Sequence, residues 1–461
     1  MPAVNDAATR RTLSMNSAAA GVFSVAALTL AYTHSNVARQ IVPMFIGPIQ
    51  QDLGLSDVGI SLAGGFAFAL FYSVMGIPLG RLVDLADRRR LILLSVLLWT
   101  AMTALCGLGP TVALFVIGRI GLGLSEAVVV PASLSMFNDQ FPRHRLALAV
   151  NVFFTGAWLG NGIAYLLGAW IMDHGALIAS LPLPGVAGMR TWQLAFLLIA
   201  IVGIPVWMAC LFLREPSRRI AGNAGALPSA AVDAAPATAA GGGLRQLIGA
   251  FRTQPRLYLG IIIGVTIYSS AVSGAAFWAV EYFVRDFGSD RAHVSALYGL
   301  QGVIAGPAGL VFAGWLADYA ERRGALGAKL QVAIGSLLLL MLLGVAFFFI
   351  DSERTALAAF VLLTLLTPVA YGTGASALQS ATPAGMQGLM IGFYTFITNA
   401  VGMGLGPTAI ALAAGADGPS AGSLAAGIAI VMLLMVPVAC IALWTALGPY
   451  REWLAAEENG R

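Results

Sequence analysis

The sequence contains few charged residues. Asp, Glu, Lys and Arg make up only 10% of its 461 residues, whereas 59% are hydrophobic. A soluble domain carries roughly 25% charged residues, so this composition cannot cover a normal water-facing surface. A mean hydropathy of +0.85 instead favours helices within a bilayer, where the side chains are apolar and the backbone satisfies its own hydrogen bonds.

Lysine and cysteine are also scarce. Lys329 is the only lysine among 25 basic residues, and the net charge of +4 comes from arginines that lie between hydrophobic runs. We therefore expect no nucleic-acid partner. The three cysteines, Cys106, Cys210 and Cys440, lie inside apolar runs without metal-ligand spacing, and we expect small core residues and no metal or cofactor.

Catalytic signatures are missing as well. The sequence shows no nucleophile elbow, phosphate-binding loop or ATPase signature, and its four histidines lack metal-ligand spacing. We predict that the chain is not an enzyme and does not hydrolyse ATP. Arg10 and Arg11 precede an apolar run that is too long for a signal-peptide core, so we expect a first membrane span there rather than a cleavable signal.

A charged segment at 76–90 recurs at 314–323, about half the chain length further on. Five positions correspond between the copies: Gly80 with Gly314, Asp84 with Asp318, Asp87 with Glu321, Arg88 with Arg322, and Arg89 with Arg323. Each copy lies between two apolar runs and is therefore predicted to be a polar hinge between two helices. Such a repeat indicates a duplicated membrane domain.

Windows of about 20 apolar residues predict twelve membrane spans. The predicted fold is an all-α integral membrane protein with twelve transmembrane helices in two pseudo-symmetric six-helix bundles. The bundles are predicted at 1–219 and 257–447, with a cytoplasmic linker at 220–256 and a cytoplasmic tail at 448–461. The linker is rich in Ala, Gly and Pro, and its end is predicted to be an amphipathic segment that lies on the membrane surface.

The arginines fall mainly in alternate connections between the predicted spans. Cytoplasmic loops carry such an excess of basic residues, so we predict that both termini and the linker are cytoplasmic. The expected location is the bacterial inner membrane, and the expected functional unit is a monomer in the lipid bilayer.

The two hinges share the pattern Gly-x-Leu-x-Asp-(x)3-Arg-Arg, which resembles the signature loop of the major facilitator superfamily. In that fold the loop joins the second and third helices, and a degenerate copy joins the eighth and ninth. The resemblance implies charge clusters that hold the cytoplasmic side closed in one conformation and break in the other. The residues predicted for this conformational latch are Gly80, Asp84, Arg88, Asp139, Arg143, Glu215, Asp318 and Arg322.

Four ionisable residues lie at membrane depth, where charge is costly and is retained mainly for function: Arg39, Arg119, Glu126 and Glu281. Arg119 and Glu126 are two helical turns apart and so near one face. The alternative for Arg39 and Glu126 is a purely structural ion pair. The alternative for Glu281 is a position near water at the outer end of its span.

Four segments resemble the Spinster-like branch of the superfamily: Ser35-Asn-Val-Ala-Arg-Gln-Ile41, Leu53-Gly-Leu-Ser-Asp57, residues 65–80, and Arg119-(x)6-Glu126-Ala127. The resemblance covers the first half specifically and the second half only in outline. In that branch an Asp-Arg pair on the first helix and an acid on the fourth helix face a central cavity, and the Asp is taken to bind the coupling proton. This chain has Ala38 at the Asp position and Gly47 at a second acidic position.

Without an acid at position 38, two guanidiniums face one carboxylate in the first half. That surplus suits an anionic substrate, which Arg binds bidentately, and it keeps Glu126 ionised. We predict that Arg39 anchors the substrate with support from Arg119. Glu126 and Glu281 are the candidates for proton coupling, and Glu126 is expected to take a proton only when the substrate displaces its Arg partner.

Polar and aromatic residues in the other spans suggest a cavity of mixed polarity, although hydrogen bonding between helices and anchoring at the lipid interface are alternative roles for each. The further predicted substrate-binding residues are Tyr72, Asn151, Trp158, Tyr268, Gln301, Tyr371 and Asn399.

The sequence thus predicts a secondary transporter that moves a small or amphiphilic organic anion by alternating access, with a proton as a second transported species. Three alternatives stay open at this point: an exporter of sphingoid or lysolipid-type molecules, a facilitative uniporter without proton coupling, and a non-transporting sensor.

Overall fold

The computed structural model describes residues 3–109, 111–180, 188–217, 242–383, 386–415 and 423–459, and within these ranges every regular element is a helix. The α-helices are α1 (Ala3–Gln40), α2 (Ile46–Leu53), α3 (Asp57–Ser61), α4 (Ala67–Leu85), α5 (Arg88–Leu108), α6 (Val112–Glu126), α7 (Val129–Gln140), α8 (Arg143–Ala179), α9 (Thr191–Leu211), α10 (Gly242–Thr253), α11 (Pro255–Phe287), α12 (Arg291–Arg322), α13 (Ala328–Ala346), α14 (Glu353–Ser380), α15 (Gln387–Ile397), α16 (Gly404–Ala413) and α17 (Leu424–Asn459).

Four short helices of other types interrupt this pattern. Two are 3₁₀-helices, at Val42–Phe45 and Phe347–Phe349, and two are π-helices, at Leu62–Phe66 and Thr398–Met403. The first 3₁₀-helix follows the end of α1. There Pro43 has no N–H to donate to the carbonyl four residues earlier, so the α-helix cannot continue.

Eleven helices or helix pairs in the described residues are long and apolar enough to cross a membrane, from Asp57–Leu85 to Leu424–Ala456. They correspond to the second to twelfth predicted spans. Helix α1 packs along α8 in the position of a first span. These observations confirm the prediction of an all-α membrane protein.

The helices form two bundles. In the first, α1 packs against α8, α5 lies against both α6 and α9, and α4 packs against α6. In the second, α11 and α13 pack against α17, and α14 packs against α12 and α13. Contacts between side chains at the ends of the spans define two ends of the molecule: Arg88 bonds Asp139 and Glu215 at one, and Arg285 bonds Asp57 at the other. We call them the Arg88 end, where α4 joins α5, and the Asp57 end, where α11 joins α12.

The long helices α8 and α12 bring the bundles together through glycines. A Cβ at Gly306 would lie only 1.9 Å from the ring of Trp158, and one at Gly162 only 2.0 Å from Val303. The same close approach occurs at Gly299, where an added Cβ would lie 2.8 Å from Tyr165. Small residues permit such backbone contact between membrane helices, so these three positions fix the α8–α12 interface.

The two π-helices lie near each other at a second contact between the bundles. A Cβ added at Gly64 or Gly65 in the first π-helix would lie 3.6 or 3.7 Å from the Phe277 ring, and one at Gly65 would lie 3.5 Å from Pro407. Ser61, just before this π-helix, is hydrogen-bonded to Thr408 across the boundary at 3.0 Å. This contact closes the molecule on the side of the Asp57 end.

The predicted linker at 220–256 lies partly outside the described residues, and its described portion is mostly helix α10. The apolar face of α10 packs on the second bundle: Leu247 is buried, and the ring of Phe251 lies 5.6 Å from that of Phe393 and 6.1 Å from that of Tyr258. The amphipathic segment predicted here therefore contacts α11 and α15.

Candidate functional site

A cavity of about 1230 Å³ lies between the two bundles. The lining positions on α8 run from Asn151 to Tyr165, and those on α14 from Thr367 to Gly372. These are the halves of both helices nearer the Arg88 end. Asn151 and Thr155 are exposed, so the cavity reaches solvent on that side. Phe277 and Pro407 bound it towards the Asp57 end.

Arg39 projects into the cavity from the last turn of α1. Its Nη2 donates a hydrogen bond of 2.8 Å to Oε2 of Glu126, the last residue of α6. The Glu126 side chain is 2% exposed and that of Arg39 is 14% exposed. The sequence prediction that these two residues lie together agrees with this geometry.

The ion pair uses only part of its hydrogen-bonding capacity. Among the described residues, Nε of Arg39 and Oε1 of Glu126 are buried without a hydrogen-bond partner, and no hydrogen bond leads from Nη1 of Arg39. A guanidinium has five donor hydrogens and a carboxylate accepts at both oxygens. The pair is therefore held by one bond, and Arg39 retains donors for a second anionic group.

Aromatic rings surround the Arg39 guanidinium. Its Cζ lies 4.8 Å from the ring centre of Phe68 and 5.0 Å from that of Tyr72. The Phe68 ring is also 5.2 Å from Cζ of Arg119, so it lies between two cations. Each such cation–π contact contributes about 0.5–2 kcal/mol, more when it is desolvated. The rings keep Arg39 in place without neutralising it.

Arg119 has a different environment from the one predicted. Its guanidinium donates to Gly64 O from both Nε and Nη2, at 3.1 and 2.6 Å, and makes longer bonds to Ala38 O (3.4 Å) and Arg39 O (3.5 Å). The Arg39 carbonyl lacks its usual helical donor because the residue four positions on is Pro43. The partial negative charge at the C-terminal end of α1 also stabilises a cation at this place.

Arg119 therefore joins the end of α1 to the first π-helix. Sequence reasoning missed this role. The sequence did contain a signal, because Pro43, four residues after Arg39, leaves the Arg39 carbonyl without a helical donor. The side chain touches the cavity wall, but its donors are engaged by backbone.

Ala38 and Gly47, the two positions where the Spinster-like pattern has acids, are filled differently here. Ala38 is fully buried. An added Cβ at Gly47 would lie 2.8 Å from Nη2 of Arg291 and 3.2 Å from Oε1 of Glu281. The space beside Gly47 is thus occupied by a carboxylate and a guanidinium from the second bundle.

Glu281 belongs to an ionic network at the Asp57 end, which we call the outer network: Gln50, Asp57, Glu281, Arg285 and Arg291. Glu281 accepts hydrogen bonds from Arg285 at 2.7 Å and from Arg291 at 2.6 Å. Arg285 also donates to both oxygens of Asp57, at 2.8 and 2.9 Å, and to Gln50 at 2.9 Å. Gln50 donates in turn to Asp57 at 2.7 Å.

The outer network joins the two bundles, because Gln50 and Asp57 belong to the first and the other three residues to the second. Glu281 is 3% exposed and is not part of the cavity lining, so the structure does not bring it together with Glu126. Apart from Glu281, sequence reasoning did not single out these residues, since no local pattern pairs positions more than 200 residues apart.

The other predicted substrate-binding residues divide into two groups. Asn151, Trp158, Tyr268 and Tyr371 line the cavity. Gln301 does not line it and donates to Thr364 at 3.2 Å. Asn399 belongs to the second π-helix and does not line the cavity. Tyr72 does not line it either, and its ring contacts the Arg39 guanidinium.

Three of the predicted latch residues, Arg88, Asp139 and Glu215, lie together, and the Arg88 side chain is 1% exposed. Its guanidinium donates to Asp139 at 2.5 Å and to Glu215 at 2.7 Å. Further bonds lead to Ser135 at 2.9 Å and to the Pro216 carbonyl at 3.1 Å. This cluster ties α5 to α7 and to the segment after α9, all within one bundle.

The remaining latch residues are not at this centre. Gly80 is buried in α4, and Asp84 is exposed near its end. Asp318 and Arg322 at the second hinge are exposed, and the side chain of Arg143 lies outside the described part of the structure. The two hinges thus differ: the first is buried around Arg88, and the second faces solvent.

No group of three or more His, Cys, Asp or Glu residues that could hold a metal ion occurs in the part of the chain that the structure describes. The described side chains around the cavity offer ion pairing, hydrogen bonding and aromatic contact.

A family model described as Major Facilitator Superfamily matches residues 14–407. An MFS-type efflux pump of Mycolicibacterium smegmatis is 25% identical over 446 residues, which are 94% of each chain. A probable galactarate/D-glucarate transporter of Escherichia coli is 23% identical over 401 residues, covering 81% of this chain and 82% of the relative.

A similar fold occurs in a solved structure, a bacterial homologue of the human lysosomal transporter Spinster in an inward-facing, unoccupied conformation. It superposes with a TM-score of 0.75 at 21% identity, over 94% of this chain and 97% of that one.

Proposed function

This chain belongs to the Major Facilitator Superfamily and is a multi-pass membrane transporter rather than an enzyme, and on that premise we propose that it moves an organic anion across the membrane by alternating access. The observation that carries the proposal is Arg39. It is the cavity-lining cation whose donors are not all engaged, so an anionic group that enters the cavity has a hydrogen-bonding partner there.

The arrangement also provides a way to couple anion binding to a proton. An anion bound to the unused donors of Arg39 shares that guanidinium with Glu126, so one positive charge faces two carboxylates. A carboxylate that is 2% exposed and only partly neutralised is stabilised by taking up a proton. Glu126 then takes a proton, so one anion and one proton occupy the site together.

The outer network and the open cavity correspond to one of the two states that we propose for the transport cycle. The bundles are held together at the Asp57 end, where Arg285 and Asp57 form an ion pair, while the cavity reaches solvent near the Arg88 end. In the opposite state the outer network separates and the cavity opens at the Asp57 end. The π-helices at the boundary supply irregular backbone of the kind found at functional sites.

The Arg88 end is assigned to the cytoplasm, since it carries the arginine-rich hinges. On this assignment both termini and the linker at 220–256 are cytoplasmic, and the bundles span 1–219 and 257–447. The proposed location is a bacterial inner membrane. The proposed unit is a monomer, in which the two bundles of one chain enclose the described cavity.

Transporters of sugar acids occur among the relatives by name, including a D-galactonate transporter of Escherichia coli that is 22% identical over 290 residues, 60% of this chain and 62% of the relative. These proteins are named for organic anions, which supports the substrate class proposed here.

Export of uncharged amphiphiles is the second candidate. It is favoured by the lining, in which nine side chains are aromatic, and by the efflux-pump relative that matches 94% of the chain. In that case Arg39 and Glu126 would be a structural pair.

A ligand screen on the purified full-length protein separates the two candidates. Ligands that bind the folded state raise the melting temperature by mass action. Each organic anion is tested beside its neutral amide, in wild type and in Arg39→Gln. Anions that stabilise the wild type but not Arg39→Gln support the proposal. Stabilisation by amides and anions alike, in both proteins, would overturn it in favour of amphiphile export.

A further inference from the structure

Among the described residues that line the cavity, Arg39 is the cation with unused hydrogen-bond donors. Two charged residues, Arg39 and Arg119, line it among the residues that the structure describes. Arg119 is 2% exposed and donates to three backbone carbonyls. A ligand with two separate anionic groups would therefore leave one of them without a partner in an apolar site, which is unfavourable. The cavity can therefore pair one ligand carboxylate, through Arg39, but not a second one.

The walls on either side of the bundle boundary are aromatic. The Tyr165 and Tyr298 rings lie 4.7 Å apart across that boundary, from α8 and α12. The Trp158 ring lies so close to Gly306 that an added Cβ would be only 1.9 Å from it. Beside Arg39, the Phe68 and Tyr72 rings are 5.7 Å apart and stacked. Such surfaces favour a flat, apolar ligand body.

Several hydroxyl groups of the lining already donate to backbone carbonyls. Thr155 donates to Val152 O at 2.6 Å and Thr367 to Leu363 O at 2.8 Å. The Tyr268 hydroxyl donates to Thr367 O. The hydroxyls of a sugar acid need both donors and acceptors to replace the water that they lose. The hydroxyl hydrogens of Thr155, Tyr268 and Thr367 are already used in bonds to backbone.

From these three observations we infer that the substrate class is a monocarboxylate with an aromatic or similarly apolar body, held at its carboxylate by Arg39. The inference rests on the proposed function and narrows it. It separates this chain from the sugar acids and dicarboxylates for which some of its relatives are named.

Four probes of related shape test the inference by calorimetry or thermal shift on the purified full-length protein. They are 3-phenylpropionate, its neutral amide 3-phenylpropionamide, benzylmalonate (the same body with a second carboxylate) and D-galactonate. We expect 3-phenylpropionate to bind at least about tenfold more tightly than each of the other three.

The outcomes distinguish a failure of the inference from a failure of the proposed anion transport. If D-galactonate or benzylmalonate binds as tightly as 3-phenylpropionate, the inference falls while the proposed anion transport stands. If 3-phenylpropionamide binds as tightly, both fall. If none of the four binds at millimolar concentration, the inference also falls.

The Phe68→Leu variant probes the aromatic wall directly, with Phe312→Leu as a matched control that lies outside the lining. Both anions depend on Arg39, which Phe68 contacts, so we expect Phe68→Leu to weaken 3-phenylpropionate between about twofold and tenfold more than it weakens hexanoate. Equal losses for both anions would overturn the role of the aromatic wall, even if the variant is less stable, because the comparison is made within one protein.

Discussion

Arg285 donates two hydrogen bonds, of 2.8 and 2.9 Å, to the carboxylate of Asp57 across the boundary between the two bundles. Asp57 is 1% exposed and Arg285 11%, so water screens the pair little. The pair lies at the end of the molecule opposite to the mouth of the cavity. It is therefore suited to holding one end closed while the other is open.

The Asp57→Asn variant should shift the population towards the state that is open at the Asp57 end. Removing one partner of a buried pair costs about 3–5 kcal/mol in that state. A single cysteine placed beside Phe277, in a background without the three native cysteines, should then react faster with a membrane-impermeant reagent added from the outer side.

The control for this experiment is Arg190→Gln, which removes another ion pair at the same end. Arg190 bonds Asp52 at 2.6 Å but is 66% exposed, and exposed pairs contribute only about 0–1 kcal/mol. A similar labelling rate in Asp57→Asn, Arg190→Gln and the parent protein would contradict the gating role of the outer network.

Arg88→Ala should lower the melting temperature strongly. The change leaves Asp139 and Glu215 close together without the guanidinium that both contact, and the expected loss is about 3–5 kcal/mol of unfolding free energy. Arg322→Ala at the corresponding position of the second hinge removes an exposed side chain and should cost less than about 1 kcal/mol. Equal shifts for the two variants would show that the hinges do not differ as described.

The two-bundle fold could be predicted from the sequence because the same charged hinge occurs in both halves of the chain. Gly80 and Asp84 recur as Gly314 and Asp318, and apolar runs of bilayer length surround both copies. The contact between Arg39 and Glu126 was also accessible, since both residues are isolated charges in apolar spans and each needs a partner.

The hydrogen-bond partners of the other buried cations could not be predicted. Arg285 finds Asp57 more than 200 residues away, and the choice depends on how two bundles meet. Arg119 pairs with backbone carbonyls, which carry no sequence signal of their own. Its acceptors exist because Pro43 and a π-helix disturb the regular hydrogen bonding of two spans.

Arg119→Lys should reduce stability without changing selectivity. Lysine retains the charge but cannot reproduce the planar set of donors, so carbonyls at Gly64 and Arg39 lose partners at a cost of about 1–3 kcal/mol. The ratio of the affinities for 3-phenylpropionate and its amide should stay close to that of the wild type. Arg39→Lys is the comparison, and it should lower that ratio. A ratio that falls equally in both variants would make Arg119 a second anchor.

Anion binding should strengthen as the pH falls, because the proposed complex holds a proton that the free site does not. The dependence should vanish in Glu126→Gln, which is permanently neutral and leaves Arg39 free for the anion. Glu353→Gln, at the start of α14 and outside the lining, serves as the control and should behave like the wild type.

The most direct measurement of the central claim is the number of protons taken up when 3-phenylpropionate, or the tightest anion from the ligand screen, binds to the purified protein. Calorimetry in two buffers with different ionisation enthalpies gives this number. The account predicts an uptake approaching one proton per anion in wild type and close to none in Glu126→Gln, with binding retained. No uptake in wild type, or undiminished uptake in Glu126→Gln, would contradict it.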